Sequence, residues 1–328
     1  MPRNDYEEIR RNFDAFVELL SQRERADLNE ALRGIFTADA KCYLSCARAY
    51  PDGSQHTVFG MEYFIRDMPS TDFFHRQVCN YYTRLAGGQA QQIAHVVCLV
   101  GRYGDPTPLY YRFDMMFANH WIHTEAGWRI DELRMDILPE DGNFEEFSSA
   151  WHFEDPHPKT CPGLHLPCIN GELDSPWFRI PDGEDVLTEE EKVAEAFTRY
   201  AFGIDTLSFC EVEKIACDDV IADIQPWGPM DKRSWIASLK YHRQRDRLWG
   251  HCGLVRDLHI DGDTAFMSLY RLCGHKQREH PYMYTNENVD RAHACASYDL
   301  VLKREDDRWK IKKCCYYLGL IEMGPYQE

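Results

Sequence analysis

Two four-residue strings, Gly-Trp-Arg-Ile at 127–130 and Arg-Trp-Lys-Ile at 308–311, close the two halves of this chain and set Trp128 and Trp309 181 residues apart. A period that long is a duplicated domain, because solenoid repeats run roughly 20–50 residues. Each half opens with an amphipathic helix. Ile9, Phe13, Phe16, Val17 and Leu20 share one face, and Val193, Phe197, Tyr200, Ala201 and Ile204 share another, both at helical spacing. Asn4 with Glu7 and Thr188 with Glu191 are candidate capping boxes. A short second helix and a strand follow, IFTADAKCYL at 35–44 and IACDDVIADI at 215–224, with Asp39 and Asp219 180 apart. Next comes a helix with an aromatic-Ile pair, Phe64-Ile65 or Trp235-Ile236, and then long strands rich in β-branched and aromatic residues. AGG at 86–88 and DGD at 261–263 supply hairpin turns.

Each half therefore reads helix, helix, strand, helix, then three or four long strands. That order predicts an α+β fold: two tandem cones, each a curved antiparallel sheet packed by its N-terminal helices. A cone closed by helices is a natural small-molecule site. The 328 residues suit two cores. The expected domains are 1–137 and 188–328. Residues 138–187 form a Pro-rich linker that packs on the surface, because it carries Trp151, Trp177 and Phe178.

Charge excludes one class of partner. Lys and Arg total 37 against 54 Asp and Glu, a net −17, and such a surface repels phosphate backbones. No nucleic acid is expected. No membrane is expected either, since no apolar run reaches the 18 or so residues of a span. The opening MPRNDYEEIRR has no apolar signal region, and 13 Cys sit largely in strand-like runs, so a cytoplasmic protein with reduced thiols is predicted. P-loop, GxGxxG, GxSxG and HExxH motifs are missing from the sequence.

The repeated helices, the ADA and CDD turns into strand one, DGDTA at 261–265, GWRI and RWKI together resemble the NTF2-like superfamily, in particular its SnoaL-like branch. The superfamily holds dehydratases, isomerases, cyclases, epoxide hydrolases and binders, so fold alone does not name a reaction. The second half is similar to its dehydratases, of the bile-acid 7α-dehydratase and scytalone dehydratase types. Tyr200 and Asp205 stand five apart in YAFGID, and His251 stands ten before Asp261 in HCGLVRDLHID. The resemblance implies a catalytic role for these three. The fourth functional residue of those enzymes, an Asp, falls near Cys273 or Gly274 and is absent. Offset by 180, the first half has Leu20 and Arg25 at the Tyr and Asp positions; ten residues before its hairpin, the His position falls on Arg76, with His75 beside it. It is expected to be a scaffold, and the fused pair to act as an internal pseudo-dimer that could oligomerise further.

The three residue types suit proton transfer beside a carbonyl. His251 titrates near neutrality and can take and return a proton. Asp205 can hold its ring in one tautomer. Tyr200, on the apolar helix face, can donate to a developing enolate oxygen. The expected activity is a lyase or isomerase acting on a small apolar hydroxylated carbonyl compound, steroid- or polyketide-like, with no metal and no organic cofactor. The alternative is a non-catalytic binder of such a molecule. Trp227, Trp235, Tyr270, Cys273 and His293 are expected to line the pocket. His157, Cys161, His165 and Cys168 are four soft ligands in 12 residues and form a rival zinc site, although their spacing fits no standard pattern.

Overall fold

Helix α1 (Pro2–Leu19) exists because its apolar residues recur every three to four positions, which buries Ile9, Phe13, Phe16 and Val17 together. It begins at Pro2, so Asn4 lies inside the helix and not at its cap. The computed structural model describes residues 2–46, 48–151, 167–245, 250–272, 285–289 and 295–317. These fall into two units: 1–77 with 81–186, and 187–328 with 78–80.

In the first unit, α2 (Leu28–Arg33), β1 (Phe36–Leu44) and α3 (Val58–Asp67) precede four long strands, β2 (Phe73–Ala86), β3 (Gln89–Arg102), β4 (Leu109–Thr124) and β5 (Gly127–Gly142). Their order across the sheet is β1-β5-β4-β3-β2. The long strands pair antiparallel, but β1 runs parallel to β5, so the sheet is mixed. The helical crossover after β1 allows this: a parallel neighbour cannot be reached by a hairpin. Gly87 and Gly88 turn β2 into β3 at positive φ, where other residues would be strained. The sheet packs on α1 through Phe117, which receives Phe13 edge-on at 5.6 Å and Phe16 at 5.8 Å.

Strand β5 runs past residue 137, and α4 (Phe144–Ser148) follows it. The described part of 138–187 packs on this unit. Trp151 stacks on Phe64 at 4.8 Å and Trp177 on Tyr82 at 5.1 Å, the latter from α5 (Pro176–Arg179). The carboxylate of Asp136 accepts the backbone N–H groups of Cys168 (2.6 Å) and Ile169 (3.2 Å).

The second unit repeats the order: α6 (Glu189–Asp205), α7 (Phe209–Ile215), β6 (Ala216–Ile224), α8 (Lys232–Arg245), β8 (Cys252–Asp261), β9 (Thr264–Leu272), β10 (Cys295–Glu305) and β11 (Arg308–Tyr317). A short β7 (Gly228–Met230) extends one edge, giving β7-β6-β11-β10-β9-β8, again with the first long strand parallel to the last. Here the capping box forms: Thr188 Oγ1 accepts Glu191 N–H (3.2 Å) and the Glu191 carboxylate accepts Thr188 N–H (2.8 Å). Arg199 and Glu211 make a buried ion pair between α6 and α7.

The two sheets share a defect. The β4–β5 register breaks between His120 and Trp121, and the β10–β11 register breaks between Val301 and Leu302, 181 residues on. A bulge at that point bends the sheet over its helices.

Candidate functional site

Asp205 is the last residue of α6, and its side chain is fully buried. Its carboxylate reads His251 twice. Oδ1 lies 2.6 Å from the ring Nδ1, and Oδ2 accepts the His251 backbone N–H at 2.8 Å. Two bonds to one residue fix both the backbone and the ring, so the imidazole has one orientation. With a carboxylate at Nδ1 the proton sits there, and Nε2 carries the lone pair. Nε2 makes no hydrogen bond among the described residues, and the side chain keeps 8% of its exposure.

The charge of Asp205 is shared. Arg243 Nη2 is 3.4 Å from Oδ1, which weakens the pull of the carboxylate on an imidazolium proton. Burial pushes the His251 ring down from 6.5 to about 4, the Arg271 cation adds to this, and Asp205 opposes it. At neutral pH the ring is therefore uncharged and available as a base.

Tyr200 sits one and a half turns before Asp205 on the same helix and meets the His251 ring edge-on at 6.0 Å. Its hydroxyl is 3.5 Å from that of Tyr298, long for an O–H···O bond. Burial pushes its phenol well above the ordinary range, so it stays a donor. Trp235 stacks on it at 5.4 Å, and the buried Trp235 Nε1 has no hydrogen-bond partner among the described residues. Behind Tyr298 lie Tyr316, with ring centroids 4.7 Å apart, and Arg271, which donates to the Tyr316 hydroxyl at 3.1 Å.

Tyr200, Asp205, His251 and Trp235 thus converge. Trp227 does not join them. It is 56% exposed on the β6–β7 turn and packs on His242, because a two-strand turn carries its side chains away from the sheet interior. Tyr270 lies on the opposite face of β9 from Ala265, Met267, Leu269 and Arg271, which are buried, since alternate strand residues face opposite ways. Arg256 covers its ring. Cys273, Gly274 and His293 lie outside the described residues, as do His157, Cys161 and His165.

Sequence reasoning missed Tyr298, Tyr316, Arg271 and Arg243. Tyr298 alternates with Leu300 and Leu302 on the core face of β10, so a period-two reading could have found it. Its partner was hidden by the bulge: counting from the Arg304–Trp309 pair puts Cys315 opposite Tyr298, whereas the sheet puts Tyr316 there.

The first unit has no dyad at the matching positions, although His120 Nδ1 and Asp131 Oδ1 lie 2.6 Å apart elsewhere in it. Phe13 and Phe16 meet Phe117 as Phe197 and Tyr200 meet Tyr298, so the helices correspond at an offset of 184, not 180. Phe16 holds the place of Tyr200 and Ser21 that of Asp205, in place of Leu20 and Arg25. Arg76, the position counted back from the hairpin for His251, pairs with Glu18.

Residues 185–314 match the SnoaL-like domain. Tyr200, Asp205, Arg243, His251, Arg271 and Tyr298 all lie within that SnoaL-like span. No curated protein matches the chain. Among solved structures, an NTF2-like protein from Cytophaga hutchinsonii is 15% identical over 40% of this chain and 98% of its own, with a TM-score of 0.30. The Kfla4162 protein of Kribbella flavida is 16% identical over 41% and 90%, with a TM-score of 0.33. A protein with a cystatin-like fold from Nostoc punctiforme is 16% identical over 40% and 92%, with a TM-score of 0.30. Among the described residues, no helix is long and apolar enough to cross a membrane.

Proposed function

We propose that the SnoaL-like domain is a cofactor-independent lyase or isomerase for a small apolar hydroxylated carbonyl compound. The reading rests on one observation, the buried dyad in which Asp205 orients His251 at 2.6 Å and leaves Nε2 without a hydrogen bond among the described residues, with the Tyr200 ring against the imidazole.

In the proposed reaction Nε2 removes a proton from the carbon next to the carbonyl. The C–H electrons form the enolate, and Tyr200 donates a hydrogen bond to its oxygen. The enolate then re-forms the carbonyl and expels a β-hydroxyl, which leaves as water with the proton from His251. In the isomerase variant the same proton returns to a different carbon. Asp205 stabilises the transient imidazolium. A steroid-like or polyketide-like skeleton suits the aromatic surround of Phe197, Trp235 and Tyr298.

The low basicity of His251 favours a second reading, a binder without turnover, since proton abstraction is most efficient when the base has a pKa near the working pH. A panel of β-hydroxy polycyclic ketones, followed by growth of the conjugated enone absorbance, separates the two. His251→Gln should lower turnover about 10²–10⁴-fold, and Tyr200→Phe about 10²–10³-fold. Binding with no turnover would support the second reading. Full activity in both His251→Gln and Asp205→Asn would reject the assigned roles.

A further inference from the structure

The first unit carries a polar pair where the second has only hydrocarbon. Gln92 on β3 lies directly opposite Asn119 on β4, and Asn119 Nδ2 donates to Gln92 Oε1 at 2.8 Å. The corresponding pair in the second unit is Met267 opposite Leu300. Gln92 and Asn119 are each 0% exposed. Among the described residues their remaining atoms, Gln92 Nε2 and Asn119 Oδ1, are buried with no partner, and so is Nε1 of Trp121, two residues along β4. Exchanging O and N in both amides leaves the same inventory, one open donor group and one open acceptor.

Buried polar atoms are nearly always satisfied. An open donor and an open acceptor on paired residues, with a second open donor two residues along β4, describe the complement of a ligand edge. Small side chains flank the pair on the same strand. The same-face neighbours of Gln92 are Ala90 and Ala94, and the counterpart of Ala94 in the second unit is the larger Leu269. The other neighbours on that face are aromatic and apolar: Phe117, with Phe13 and Phe16 upon it, and Trp121. Charge narrows the chemistry. Arg112, the one Lys or Arg of β4, alternates onto the opposite face, so β4 itself offers an anion beside Asn119 no counter-charge.

We infer that the first unit binds a neutral lactam or carboxamide on a flat apolar body, its C=O accepting from Gln92 Nε2 and its N–H donating to Asn119 Oδ1. This assigns a ligand to the half without a counterpart of Asp205 and His251, and it stands apart from the reading of the second unit.

The probe is 2-quinolone, titrated calorimetrically into the full chain, with N-methyl-2-quinolone as control. Binding should occur with the first and weaken at least about tenfold with the second, which has lost the N–H. The variant Gln92→Met, Asn119→Leu carries the side chains of the second unit. It should lose the binding while its thermal midpoint stays equal or rises, because replacing both members of a polar pair by apolar groups is near neutral or stabilising. Ala94→Leu should block binding with both amides intact. Absence of binding to the unaltered chain overturns the inference. So does equal binding of the two quinolones, or of the double variant. A lower midpoint in the double variant would show that the pair is structural and overturn it as well. Should the double variant not fold, the N-methyl control decides alone.

Discussion

Substituting His251 by Gln should change how stability depends on pH, and the size follows from the site. Burial and Arg271 hold the folded imidazole at about 4 against 6.5 for the unperturbed group. The folded value is depressed, so the unfolded chain takes up a proton that the folded chain refuses. Above pH 6.5 neither state binds it and the term is zero. Between pH 6.5 and 4 the unfolded state is favoured increasingly as pH falls. One such site lowers stability by about 2 kcal/mol between pH 7 and pH 5. Glutamine occupies similar space, can donate to Asp205 and cannot titrate. His251→Gln should be the less stable protein at pH 7, having lost part of a fixed geometry, but its deficit should shrink by about 2 kcal/mol at pH 5. The measurement is urea unfolding of the full chain at both pH values, resolved for the second unit by hydrogen exchange in β9 and β10. A deficit that stays constant, or grows on acidification, refutes the account of a neutral buried base.

Two further outcomes follow from other buried positions. Burial pushes Asp136 from 3.8 to about 7, against the pull of the Cys168 and Ile169 N–H groups, with Asp174 adding to the rise and Arg134 opposing it. Its contribution is fully present below pH 3.8 and is lost as pH rises toward 7, opposite in sign to that of His251, so Asp136→Asn should flatten the pH dependence of first-unit stability by up to about 4 kcal/mol across that window; an unchanged slope in hydrogen exchange of β5 would count against it. A Cβ at Gly253 would strike the Phe197 ring, so Gly253→Ala should destabilise the second unit by about 1–3 kcal/mol in the same urea assay, and an unaltered midpoint would show that Phe197 can yield.

Much of the architecture was written in local chemistry. The Thr188–Glu191 box, the Gly-Gly and Asp-Gly turns and the alternation of the long strands each act within a few residues, so each could be read from the chain. The parallel placement of β1 against β5 could not, because it depends on where a crossover lands. Tyr200, Asp205 and His251 were singled out through the resemblance to the dehydratases, and the end of α6 and the start of β8 bring them together. Tyr298 opposite Tyr316 was not, since a one-residue bulge shifts every partner beyond it. Trp227 misled because an aromatic in a turn looks like lining until its exposure is known.

The two sheets, aligned on their common bulge, show how one backbone can hold two kinds of interior. Where the second unit has Tyr298, Tyr316 and Arg271, the first has Phe117, Met135 and Val96. Where the first has Gln92 and Asn119, the second has Met267 and Leu300. A merely degenerate copy would lose polar groups, because an unsatisfied buried one costs about 1–3 kcal/mol and hydrocarbon there does not. The first unit has apolar side chains at those three positions and a polar pair two strand positions from where the tyrosine stands in the second. The ligand contact proposed for the first unit would offset that penalty, and the loss of quinolone binding on Gln92→Met, Asn119→Leu is the observation that carries it.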